Sequence, residues 1–200
     1  MTGKRGNLKL WFVSGSESSA TDREEYEGRL IGTVLHKSIE LLLKYGSPDN
    51  SRSPDDNSVS NFVENIVRAA WVVEQSGENG LYDRKTADKI QNEAIRILKN
   101  ALLSDEIREL LIADSPNVEI QPEVEIMDEK GRIFRIDLLR INSSSHEIEV
   151  VEFKTHATDD FKAPSQLKQY VTLIKKAFGA DWKVNGFIVF LDPPKTEKLQ

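Results

Sequence analysis

The chain has 200 residues, 38% hydrophobic and 30% charged, with a formal net charge of −6 and no cysteine. That length holds one domain with a sizeable core. The missing cysteines exclude disulfides, thiolate zinc sites and iron–sulfur clusters, and they fit a reducing compartment, so a cytoplasmic protein is expected. The acidic balance excludes a wholesale basic surface for nucleic acid. No apolar run nears the ~20 residues that cross a bilayer, and no signal-peptide pattern opens the chain.

In chain order, residues 8–13, LKLWFV, are apolar and fit a short strand or a packed arm, and 14–22 read as loop. Residues 23–45 predict a strong helix, because Leu30, Val34, Leu35, Ile39, Leu42 and Leu43 recur at three- and four-residue spacing. Gly32, His36 and Glu40 fall one turn apart in a stripe beside that apolar face. A lone histidine on such a helix is more often packed or solvated than a ligand. Gly32, one turn earlier, leaves room beside His36 for backbone or ligand. Residues 46–58 form a polar loop rich in Pro, Asp, Asn and Ser. Three further helices are expected at about 59–76, 83–102 and 104–112. Taken together, residues 46–112 read as a helical insertion or cap over a sheet, and equally as the wall of a substrate channel.

Residues 118–127, VEIQPEVEIM, alternate apolar and polar as a half-buried strand, with Pro122 marking an edge position or a bulge. The stretch from Arg132 to Lys154 predicts two strands joined by the polar turn Asn-Ser-Ser-Ser-His. A helix over 165–178 carries Leu167, Tyr170, Val171, Ile174 and Phe178 on one face. A strongly apolar strand at 184–194 is closed by two prolines, and the tail after it is polar. The order helix, three strands, helix, strand implies an α/β sandwich with a mixed sheet.

The hairpin makes the sharpest local statement. The midpoint between Asp137 and Glu152 falls at Ser144–Ser145, the centre of the turn. In a symmetric, unbulged hairpin these two carboxylates face each other with β-carbons about 5 Å apart. Lys154, two residues beyond Glu152, shares its face, while Val151 and Phe153 point the other way into a core. Two carboxylates and an ammonium on apolar strands repel and resist burial unless compensated, and a hard divalent cation with oxygen ligands would compensate them. On the residues alone, a solvated face with an incidental Glu–Lys pair fits as well. A one-residue slip would also send Asp137 to the other side.

Four signatures in order resemble the PD-(D/E)XK nuclease superfamily, most closely the RecB-type nuclease domains at the C-termini of AddA-like helicase–nucleases. GTVLH, ending in His36, is similar to the GxxxH of the first core helix. RIDLL supplies Asp137, VVEFKT supplies the E-x-K pair Glu152 and Lys154, and QLKQY, from Gln166 to Tyr170, is similar to QxxxY. Each alone is weak, and the ordered set is specific. The likeness covers residues 28 to 192, and 46–112 match nothing in particular. Phe134 and Arg135 stand where the family often has a glycine.

The resemblance implies a restriction-endonuclease-like αβββαβ core, a mixed sheet flanked by helices, plus the helical insertion. It implies a single nuclease domain over 1–200, with the first core helix at 23–45 and the sheet and QxxxY helix at 117–192. It implies a Mg²⁺- or Mn²⁺-dependent deoxyribonuclease, more an exonuclease than an endonuclease, acting on single strands or DNA ends in recombination and repair. Metal ligands would be Asp137, Glu152, the Phe153 carbonyl and His36, with Lys154, Gln166 and Tyr170 completing the catalytic set. Glu123 matches a common acidic position, although an exposed strand residue is the plainer reading. Lys162, Lys168, Lys175 and Lys176, with Gln166 and Tyr170, would touch the nucleic acid, the lysines' plainer role being a solvated helix face. No iron–sulfur cluster, nucleotide cofactor or membrane contact is expected. A helicase domain or subunit is a possible partner. The competing class is a catalytically silent DNA-binding or protein-docking module on the same fold. A sequence-specific restriction-type enzyme would need base-reading elements that the chain does not display.

Overall fold

The computed structural model describes residues 20–45, 56–77, 82–113, 115–156 and 162–199. The apolar stretch at 8–13 and most of the loops expected at 14–22, 46–58 and 155–165 lie outside them. Four helices come first: α1 (Ala20–Tyr45), α2 (Asp56–Gly77), α3 (Arg84–Leu103) and α4 (Asp105–Leu111). Strands β1 (Val118–Met127), β2 (Ile133–Asn142) and β3 (Glu147–Lys154) follow, then α5 (Ala163–Phe178), β4 (Lys183–Leu191) and β5 (Pro194–Lys198). The five strands form one sheet in sequence order. Only β3 and β4 run parallel, as they must when a helix carries the chain from one to the other.

Several boundaries sit a turn outside their expected places. α1 and α2 each begin three residues earlier. α5 begins at Ala163, with Pro164 preset for its first turn. The tail expected only as polar folds back as β5, pairing Leu191 with Pro194 and Phe187 with Lys198. The apolar strand therefore stops at Leu191, short of the expected 194: Asp192 and Pro193 make the turn, and Pro194 opens β5.

The sheet is covered on both faces. One core holds Val34, Leu35 and Ile39 of α1 with buried residues of α2, α3 and α4, packed on Leu138, Val151, Phe153, Val189 and Leu191. Within the expected insertion, α2, α3 and α4 are therefore continuous with α1 as a single layer. The second core holds Leu167, Tyr170, Val171 and Ile174 of α5 against Ile136, Leu139, Ile148, Val150 and Ile188. Gly186 brings α5 close to β4: a β-carbon there would lie 2.9 Å from Val171 Cγ2 and 3.0 Å from Leu167 Cγ. This is the expected α/β architecture, a mixed sheet between helices, consistent with a restriction-endonuclease-like fold.

Candidate active site

Hairpin symmetry is realised. Leu138 pairs with Val151 and Asn142 with Glu147, which carries Asp137 to the position across from Glu152. The backbone ladder stops there. Beyond Leu138↔Val151 the strands part, and the Asp137 side chain supplies the next link, its Oδ2 accepting the Phe153 N–H at 2.8 Å.

The parting coincides with a break in side-chain alternation. Ile120 and Leu138 pack toward the α1 layer, whereas Val124, Ile126, Phe134 and Ile136 pack toward α5. Residues two or four apart on one strand should share a face. The switch falls at Glu123, in the left-handed region at φ 53°, between the pairs Pro122↔Leu138 and Val124↔Ile136. A non-glycine residue held at positive φ marks a local constraint. The irregularity signalled by Pro122 thus lands one residue later, without a change of register, and Glu123 and Asp137 both reach toward His36. Ligand atoms of these three side chains lie within 4.8 Å of one another.

His36 Nδ1 is 3.5 Å from Asp137 Oδ1. Burial opposes the imidazolium charge, but the hydrogen bond and charge of Asp137, with Glu152 behind it, outweigh burial and raise the His36 pKa above 6.5. The room expected at Gly32 is used by the end of β3, since a β-carbon there would lie 3.4 Å from Thr155 Oγ1. Glu123 is raised above the usual carboxylate range by burial, opposed by Arg135, whose Nε lies 2.7 Å from its Oε2. His36, Glu123 and Arg135 line a cleft of ≈ 490 Å³ with Gly32, Thr33 and Arg29.

Glu152 is 3% exposed. Its Oε1 accepts from Lys154 Nζ at 2.9 Å, while its Oε2 is buried with no hydrogen-bond partner. Burial, followed by the nearby Asp137 charge, pushes its pKa up to about 6. Gln166 Nε2 donates to Tyr170 Oη at 2.6 Å. The Tyr170 ring is core, and its hydroxyl still feels both Glu152 and Asp137, so packing and site roles coincide in one side chain.

Asp137, Glu152, Lys154, His36, Gln166 and Tyr170 are therefore assembled at one end of the sheet, and Phe153, on β3 between Glu152 and Lys154, joins them through its backbone. Lys162, Lys168, Lys175 and Lys176 are exposed, and Lys176 pairs with Glu129 at 3.1 Å. Lys175 lies nine residues past Gln166, about 13 Å along the helix. Glu123 sits deeper in the constellation than an exposed strand residue would, and Pro122 beside it was the only local cue. Arg135, which holds it, stands at a position where the family pattern favours glycine.

A model of the PD-(D/E)XK nuclease superfamily matches residues 9–200. The chain belongs to that superfamily. No curated protein matches it. Nucleases of this superfamily use divalent metals and act on DNA, and the residues present fit such an ion. A buried carboxylate with one oxygen unpartnered is costly unless a cation satisfies it, and Glu152 is in that condition. Carboxylates and one imidazole form a donor set for a divalent cation. Among the described residues, no helix of this PD-(D/E)XK protein is long and apolar enough to cross a membrane.

Proposed function

We propose that the chain is a metal-dependent deoxyribonuclease of the RecB type that hydrolyses phosphodiester bonds in single strands or at DNA ends. Exonucleolytic action in recombination or repair fits this reading, either alone or as the nuclease domain of a larger helicase–nuclease. The observation that carries it is the unpartnered Glu152 oxygen beside Lys154 and Asp137. A structural ion pair has no need of a second, repelling carboxylate.

Asp137, Glu152 and the Phe153 carbonyl would hold the cation, with His36 and Glu123 as further donors. An imidazole donor favours Mn²⁺ over Mg²⁺. Bound there, the cation supplies Lewis acidity to the phosphate and an acidified water. The other tasks fall to the chain's own groups. Lys154 Nζ lies 2.9 Å from Glu152 Oε1. Adjacent negative charge favours its protonated form, so it serves by orienting water and by stabilising charge on the phosphate, not by taking a proton. Tyr170 Oη accepts from Gln166, which leaves its own proton to donate toward the strand.

The test is digestion of end-labelled single- and double-stranded DNA with Mg²⁺, Mn²⁺ or EDTA, beside Lys154→Ala and Asp137→Ala proteins. Metal-dependent cleavage lost in both variants supports the enzyme, and the product ladder gives its polarity. A folded wild type that neither cleaves nor binds metal overturns the reading in favour of a docking module.

A further inference from the structure

The cleft beside His36 continues along α1. Tyr26, Arg29, Thr33 and His36 follow at spacings of three and four residues, which places them on one helical face. Tyr26, Arg29 and Thr33 are exposed, and Arg29 and Thr33 line the cleft with His36. At its far end the face meets an aromatic group drawn from three elements. Tyr26 and Tyr82 stack at 6.3 Å between centroids, with their hydroxyls 2.5 Å apart. Trp71 of α2 supports Tyr82 at 5.6 Å.

Two features separate this group from ordinary packing. Tyr26 remains 43% exposed although its ring is braced from below. The Arg29 guanidinium lies 6.0 Å over the same ring, and among the described residues it has no carboxylate in ion-pair range. The other cleft cations are engaged, Lys37 with Glu40 at 2.6 Å and Arg135 with Glu123 at 2.7 Å. Glu27, on the same helix, is buried and paired with Lys89. Glu74 also lines the cleft and limits its positive potential. A ligand here must therefore present a flat π-face and a single anion at a time.

We propose that the α1 face from Tyr26 to His36, with Tyr82 beside it, is a track for single-stranded DNA on which a base stacks against Tyr26 and a phosphate pairs with Arg29. The inference rests on the nuclease reading for the direction of the strand into the site. Ten residues of helix span about 15 Å, roughly four nucleotides at the ~3.4 Å stacked spacing of one strand. Stacking supplies most of the affinity and the near-balanced charge little, so binding depends on salt only weakly for a DNA-binding site.

The experiment is fluorescence-anisotropy titration of the full chain with a labelled oligothymidylate of about twelve nucleotides, in EDTA and over a salt series. It is accompanied by steady-state cleavage of the same strand in Mn²⁺. Tyr26→Ala is expected to weaken binding about ten-fold, the scale of one lost base stack, and to raise KM far more than it lowers kcat. Tyr26→Phe keeps the ring and restores binding. Arg29→Gln reduces the salt slope by about one phosphate contact, and it stands in should Tyr26→Ala fail to fold. Wild-type affinity in both Tyr26→Ala and Arg29→Gln, or a Tyr26→Phe protein as weak as Tyr26→Ala, overturns the track. Cleavage without Tyr26 dependence overturns the track and spares the nuclease. Tyr26-dependent binding by a protein that neither cleaves in Mn²⁺ nor binds it supports the track and sinks the nuclease.

Discussion

Replacing Glu152 by glutamine should make the metal-free protein more stable at neutral pH. The side chain is buried, one oxygen is unpartnered, and burial with the Asp137 charge raises its pKa to about 6. An acid whose pKa is higher folded than unfolded loses stability on ionising. The loss begins as pH rises past the ordinary value of 4.5 and is complete above about 6. At ~1.36 kcal/mol per pH unit, that difference amounts to about 2 kcal/mol by pH 7.5. Glutamine mimics the neutral acid and still accepts from Lys154, so the variant avoids that cost. Urea unfolding in EDTA should show Glu152→Gln ahead by about 2 kcal/mol near pH 7.5 and level with wild type near pH 4.5. Excess Mn²⁺ should reverse the order, because a ligand at ~100 times its Kd stabilises by about 2.7 kcal/mol only the protein that binds it. A variant less stable than wild type at pH 7.5, or one raised by Mn²⁺ as much as wild type, would refute the reasoning.

Asp137→Asn can still accept the Phe153 N–H, so the fold should persist while Mn²⁺-induced stabilisation is lost and cleavage falls by about two orders of magnitude; calorimetry and a digestion assay check this. In the metal-free protein, NMR titration should place the His36 pKa above 6.5, and Asp137→Asn should lower it. The stability His36 contributes is then full below pH 6.5 and is lost as pH rises through its folded pKa, which a melting series from pH 5 to about 8.5 would register. Gly186→Ala forces α5 off the sheet against Val171 and Leu167 and should cost about 1–3 kcal/mol. Cleavage should fall with it, because the displaced helix carries Gln166 and Tyr170.

Hairpin register was legible because its turn is short, polar and symmetric, so counting from Ser144–Ser145 places Asp137 across from Glu152. The helix faces were legible for a similar reason, each repeating a single local period. What counting could not supply was the switch of faces between Ile136 and Leu138. A strict alternation would have set Asp137 on the α5 side with Leu139. The switch depends on one positive φ at Glu123, on the neighbouring strand, where Pro122 suggests irregularity without saying which residue absorbs it. The Glu123–Arg135 pair is not legible by counting for that reason, since it is a contact made across strands. The grouping of Tyr26, Trp71 and Tyr82 was hidden in the same way, its members coming from the two helices and the residue leading into a third.

The Asp137 link to Phe153 gives the protein a built-in reporter. Where the strands separate, the amide of Phe153 hangs on a carboxylate instead of a carbonyl. Whatever draws on that carboxylate, whether a proton, an ion or a substitution, changes the grip on one backbone hydrogen. Exchange of that single amide with solvent is thus a direct gauge of the charge state of Asp137, readable without substrate and without turnover.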